Sequence, residues 1–138
     1  MTQQDVTTYL LQYGNYFPEG KLFELQDTLT KRNDLSVTDL MSIELKDPKK
    51  ATLLANIAGT LGVDRFWLKQ KTSAIIKLTI SVCFCLSFPL MYFIDWLGGL
   101  VFLCTMLAVV IWWIIDVATA SKRAKTLNYT TLMTYLTH

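Results

Sequence analysis

Charged residues interrupt the two longest apolar stretches of the sequence at single places. Lys77 stands alone within residues 72–94, and Asp116 within residues 97–120. A charge inside hydrocarbon costs ~2.5–3.5 kcal/mol on insertion scales, so such residues either lie on an ion or proton path or are neutralised by a partner. Counted outward from a turn at 96–97, Lys77 and Asp116 are equally far along the chain. In an antiparallel hairpin they would sit level and could pair, and Lys77 could also snorkel toward the interface. A second charged couple, Asp64-Arg65, precedes Phe66 and follows Gly59 and Gly62. Asp64 could cap or orient a loop. Arg65 could bind a lipid phosphate or partner acid, or compete with Lys77 for Asp116. The two glycines, three apart, offer a smooth face for close helix approach.

Other chemistry finds little support. The single histidine is the last residue, His138, and no phosphate-binding or dinucleotide-binding loop is present. Cys83, Cys85 and Cys104 all lie in apolar runs. Cys83 and Cys85 would point about 200° apart on a helix and could not chelate one metal together. The residues therefore imply a protein that is not an enzyme and holds no cofactor or metal. A formal net charge of +2 is too small to argue for nucleic acid.

The elements that would position these residues fall into contrasting regions. Residues 1–50 carry six Lys or Arg and eight Asp or Glu, whereas residues 72–121 carry one Lys and two Asp. Residues 3–13 read as an amphipathic helix with Val6, Tyr9, Leu10 and Tyr13 on one face, capped by Thr2 and ended by Gly14. Pro18 opens a second helix at about 19–32, with Leu22, Leu25 and Leu29 in line. Ser36 and Asp39 form the pattern of a capping box before a third helix, which Asp47-Pro48 would break. Three short helices in residues 1–46 make a very small core that needs a further surface, from the membrane, another subunit or a target.

The apolar run at 51–63 has 13 residues, too short for ~30 Å of hydrocarbon. Extended to 68 it includes Asp64 and Arg65, and it reads as a re-entrant or interfacial helix. Residues 72–94 and 97–120 are long enough to span, and the turn between them contains Asp95-Trp96 and Gly98-Gly99. The expected class is thus all-α: an integral membrane hairpin, a short re-entrant or interfacial helix, and a small helical region ahead of them. Basic residues flank both outer ends of the hairpin, Lys69 and Lys71 on one side and Lys122, Arg123 and Lys125 on the other, with none in the turn. The positive-inside rule places both termini in the cytoplasm of a cell membrane protein, with residues 122–138 as a basic tail. No secretory signal or lipidation motif is visible to alter that expectation.

The segment Gly59-Thr60-Leu61-Gly62-Val63-Asp64-Arg65-Phe66-Trp67-Leu68 resembles the two-transmembrane domain family, whose signature is a glycine-rich apolar helix running into a DRF tripeptide. Ile75-Ile76-Lys77-Leu78 and the Trp-rich Ile111-Trp112-Trp113-Ile114-Ile115-Asp116 are also similar to family features, so the resemblance extends over about 47–121. The preceding segment, with Tyr16-Phe17-Pro18 and Lys46-Asp47-Pro48, is similar to the leader on some bacterial members. Lys69 departs from the pattern, because the family usually has glycine there. The stretch from about Ile80 to Val110 is longer than the usual family link. The resemblance implies two spans joined at the DRF loop and a role in membrane association and interaction, with no catalytic activity.

The leading expectation is an interaction or assembly module in the bacterial inner membrane. It would bind membrane lipids and a protein partner, or form a homo-oligomer, through its helices and the DRF loop. The alternative is an oligomeric channel, for which Thr79, Ser81, Ser87 and Thr105 are the polar residues on offer, though they make no continuous stripe.

Overall fold

A computed structural model describes residues 2–32, 35–93 and 95–137. Every regular element in it is helical. Ile94, the expected end of the first span, and His138 lie outside the described residues. The chain divides into two compact units, one formed by residues up to Pro48 together with the segment from Lys122 onward, the other by Lys49–Ser121.

The first unit opens with α1 (Gln3–Tyr13). The Thr2 hydroxyl accepts from the Asp5 N–H, and the Asp5 carboxylate accepts from the Thr2 N–H, a reciprocal cap that satisfies two otherwise orphan donors. Hydrogen bonds from Thr2 hold the Asp5 carboxyl below its ordinary pKa. After 3-10 turns at Gly14–Tyr16 and Glu19–Lys21 comes α2 (Leu22–Lys31). The capping box at Ser36 and Asp39 starts α3 (Val37–Met41). This third helix is shorter than the sequence suggests. It stops well before Asp47-Pro48, and Pro48 instead opens the next helix. A proline fits that first-turn position because its N–H would be unsatisfied anyway.

Val6, Tyr9, Phe17, Leu25, Leu29 and Leu40 form the core of this unit, and Leu132 and Leu136 join them. The further surface expected for the three N-terminal helices thus comes from the chain itself. Residues 122–137 are not a separate tail: they continue the last helix, and Tyr129, Leu132, Met133 and Leu136 form an apolar stripe along it. Two side chains fasten that stripe. The Asn128 carboxamide accepts from the Lys46 N–H at 2.7 Å and donates to the Lys46 carbonyl at 2.8 Å and the Tyr16 carbonyl at 3.0 Å. The Arg32 guanidinium donates to the Leu136 carbonyl near the end of the helix, where carbonyls lack helical partners.

The second unit begins in α4 (Pro48–Ala58) and runs through a 3-10 turn (Gly59–Leu61) into α5 (Val63–Trp67). The single helix expected over 51–68 is therefore broken. Gly62 is the reason: it adopts a left-handed φ of 75° that ends one helical path and starts another. Two long helices follow, α6 (Lys71–Phe93) and α7 (Asp95–Thr137). Both are long and apolar enough, by length and composition, to cross a bilayer, over Lys71–Pro89 and within Gly98–Thr137. Gly98 and Gly99 belong to α7, so residues 95–99, expected from sequence to turn, are helical. Phe102 stacks on Phe84 with centroids 5.5 Å apart and meets Phe88 edge-on at 6.1 Å, closing the hairpin. Cys83, Cys85 and Cys104 are exposed on these apolar helices.

Candidate functional site: a buried four-charge network

The polar residues singled out in the sequence converge in the second unit. Asp64 lies in α5 just after Gly62, and its side chain is fully buried. Asp116, on α7, is equally buried, and Lys77 of α6 is 4% exposed. The Arg65 guanidinium binds one carboxylate oxygen of Asp116, Oδ1, and the Lys77 ammonium binds the other, Oδ2. Lys77 Nζ also lies 3.5 Å from Asp64 Oδ1, and Arg65 Nε lies 3.9 Å from Asp64 Oδ2. Two acids and two bases therefore form a closed, neutral ring. In a low-dielectric setting, each isolated charge would carry a large solvation penalty that such pairing offsets.

Residues 95–99, the turn assumed in the sequence reading, are helical, so an equal count from a turn at 96–97 does not by itself set Lys77 beside Asp116. The pair still forms because the four-carbon stem of lysine lets its ammonium reach along the helix. Arg65 and Lys77 do not exclude each other, since the carboxylate has one oxygen for each.

The glycines bring the DRF segment close enough for this. A Cβ at Gly62 would stand 3.0 Å from the Ala74 carbonyl oxygen and 3.5 Å from Lys77 Cβ. A Cβ at Gly59 would stand 3.7 Å from the Trp113 ring and 3.8 Å from Lys77 Nζ. The close approach is thus to this chain's own α6 and α7. The Trp113 indole N–H donates to the Asn56 carbonyl at 3.4 Å and fastens the end of α4 to α7. Phe66, the last residue of the tripeptide, turns the other way and is 46% exposed.

Local backbone geometry explains Lys69. The Gln70 N–H donates to the Arg65 carbonyl at 2.9 Å and the Lys69 N–H to the Phe66 carbonyl at 3.0 Å. This bond pair is a Schellman ending, in which the residue after the helix is left-handed and glycine is usual. Lys69 occupies that place with φ 61°. A glycine at this position would meet the same backbone requirement without strain, and this chain meets it with a lysine.

Sequence reasoning missed Asn128, the buried amide that joins three segments of the first unit. A lone asparagine in a helix gives no sequence signal of what it binds. Among the described residues, no group of three His, Cys, Asp or Glu side chains is placed to hold a metal ion.

Helices throughout and two apolar segments of spanning length define an all-α integral membrane protein. Residues 45–97 match the family model of the TM2 domain, the family that the DRF segment resembles. No curated protein and no solved structure matches the chain.

Proposed function

We propose that this chain is a non-catalytic membrane interaction or assembly module. It binds a protein partner, or further copies of itself, through its membrane helices and the DRF element. The observation that carries this reading is the division of the tripeptide. Asp64 and Arg65 turn inward into the charge network, while Phe66 stays outside, beside exposed Val63. Charges spent on holding the element in place leave an apolar display of fixed geometry, which suits recognition. α6 and α7 add to it, with Val82, Leu86, Leu103, Leu107 and Ile111 also uncovered. Helix association within a membrane proceeds through such packing faces.

The arrangement proposed for the membrane is both termini in the cytoplasm of a cell inner membrane, with the hairpin connection outside. It follows from Lys69, Lys71, Lys122, Arg123 and Lys125 at one end of the spans. In a chain freed of its own cysteines, Trp96→Cys should react with an impermeant thiol reagent in intact cells, while Lys125→Cys should not. The reverse pattern would invert the orientation.

The functional reading is tested by purification in mild detergent with mass measurement of the particle. A defined complex, either with itself or with a second protein, that weakens in Phe66→Ala is the expected result. A monomer with no stoichiometric companion, in detergents that keep the fold intact, would sink the proposal.

A further inference from the structure

We propose that the link between α5 and α6 is a headgroup site for anionic phospholipid, with Lys69 and Lys71 as its phosphate-binding residues. The inference rests on the membrane reading of α6 and is independent of the partner reading of Phe66.

Charge balance comes first. The cations nearest the DRF tripeptide divide into two kinds. Arg65 and Lys77 are bound to Asp116, and Asp64 completes the neutral ring. Lys69 and Lys71 are exposed, and among the described residues neither pairs with an acid. In the first unit, by contrast, Lys21 meets Glu24 at 2.7 Å and Lys31 meets Asp27 at 2.6 Å. The link therefore carries two positive charges for which an anion must come from outside the chain. Arg65, a lipid-phosphate ligand by its sequence position, is already held by Asp116.

Depth comes second. α6 begins at Lys71, and its apolar segment of spanning length begins there too. At the other end of the link, Gly62 has its backbone against Ala74, where a Cβ would stand 3.0 Å from the carbonyl oxygen. Ala74 is about one turn inside α6. Both ends of residues 62–71 thus lie beside the first turn of α6, at the membrane face where its span begins. Trp67, half-buried, lies two residues before Lys69, and an indole beside lysines suits headgroup depth.

The surroundings name the occupant. Ile75 and Ile76 follow Lys71 closely and are 56% and 50% exposed. Basic residues at the rim of uncovered apolar surface are the pattern of contact with an anionic bilayer. A soluble acidic partner would meet the lysines and leave these isoleucines in water. A phospholipid meets the lysines with its phosphate and covers the isoleucines with its acyl chains.

The backbone adds a third observation. Lys69 holds φ 61° in a Schellman ending, where glycine would be unstrained. Ordinary residues held in this left-handed region cluster at ligand-binding sites.

The test uses the full chain in phosphatidylcholine vesicles with a trace of spin-labelled phosphatidylglycerol or spin-labelled phosphatidylcholine. The motionally restricted fraction of each lipid is read from its spectrum. Phosphatidylglycerol should be the more restricted, since each lysine beside an anionic headgroup contributes about fivefold in affinity. Lys69→Gln with Lys71→Gln should remove most of that preference, whereas Lys122→Gln with Lys125→Gln should leave most of it. Lys69→Gly relaxes the backbone, so it keeps the fold while weakening the preference, and Lys69→Arg should retain it. Equal restriction of the two lipids in the unaltered chain would overturn the proposal. So would a preference unchanged in Lys69→Gln with Lys71→Gln, or one lost equally in Lys69→Arg. Displacement of labelled phosphatidylglycerol by millimolar inorganic phosphate would overturn it in favour of a soluble anion. Failure of the chain to float with vesicles would remove the membrane reading beneath it.

Discussion

Asp116 divides its carboxylate between two cations, Arg65 of α5 on Oδ1 and Lys77 of α6 on Oδ2. The DRF element and the hairpin are thereby held at one buried point. Removing Asp116 leaves two cations facing the single carboxylate of Asp64, whereas removing Lys77 leaves Asp116 with Arg65. We expect Asp116→Asn to destabilise the protein by ~3–5 kcal/mol and Lys77→Met by less. The double variant should recover part of the summed loss. A double-mutant cycle on thermal unfolding in detergent checks this, and strictly additive losses would show that the pair is not coupled.

The two glycines should respond unequally to a methyl group. Gly62 combines a positive φ with a Cβ position 3.0 Å from a backbone oxygen, whereas the nearest atom to a Cβ at Gly59 is at an ordinary 3.7 Å. Gly62→Ala should cost ~1–3 kcal/mol through strain, and Gly59→Ala much less. Comparable unfolding temperatures for the two variants would remove the argument.

Lys69 offers a stabilising substitution. Its left-handed conformation costs an ordinary residue ~1–2 kcal/mol that glycine does not bear. Lys69→Gly should raise the unfolding temperature, whereas Lys69→Val should lower it, since a β-branched residue tolerates this conformation poorly. A lower unfolding temperature for the glycine variant would mean that the lysine side chain matters more than its backbone.

Asn128 secures three backbone groups of the first unit. Asn128→Leu is close in volume but leaves the Lys46 N–H and two carbonyls without this partner, at ~1–3 kcal/mol for each that water cannot reach. Loss of hydrogen-exchange protection at Lys46, measured in detergent, is the expected signature. Unchanged protection would show that the amide is dispensable.

Tyr9 gives a pH dependence. Burial pushes its phenol up to about 12 from an ordinary 10.0, and its hydroxyl has no hydrogen-bond partner. The folded state therefore holds the proton more tightly than the unfolded state. Stability from this group is complete below pH 10 and falls as the pH rises toward 12. Tyr9→Phe removes the unpartnered hydroxyl and should leave stability equal or higher by up to ~1 kcal/mol at neutral pH. It should also move alkaline unfolding, followed by circular dichroism, to higher pH. An unchanged alkaline midpoint would show that other groups govern it.

Composition and local pattern alone determined the all-α membrane class, the two long apolar helices, the cap at Thr2, the capping box at Ser36–Asp39, and the identity of the residues in the charge network. These are near-neighbour properties: a capping box needs residues three apart, and a span needs only an unbroken apolar run. What the network joins was decided by tertiary structure. No periodicity shows that Asp116 serves two cations, because that depends on Gly62 turning left-handed and bringing α5 against α6. The fate of the last residues was equally long-range. The stripe Tyr129, Leu132, Met133 and Leu136 was present in the sequence, yet the basic cluster Lys122, Arg123 and Lys125 before it reads as a solvated tail. Only the packed structure shows that this stripe completes the core of three N-terminal helices too small to bury their own apolar faces.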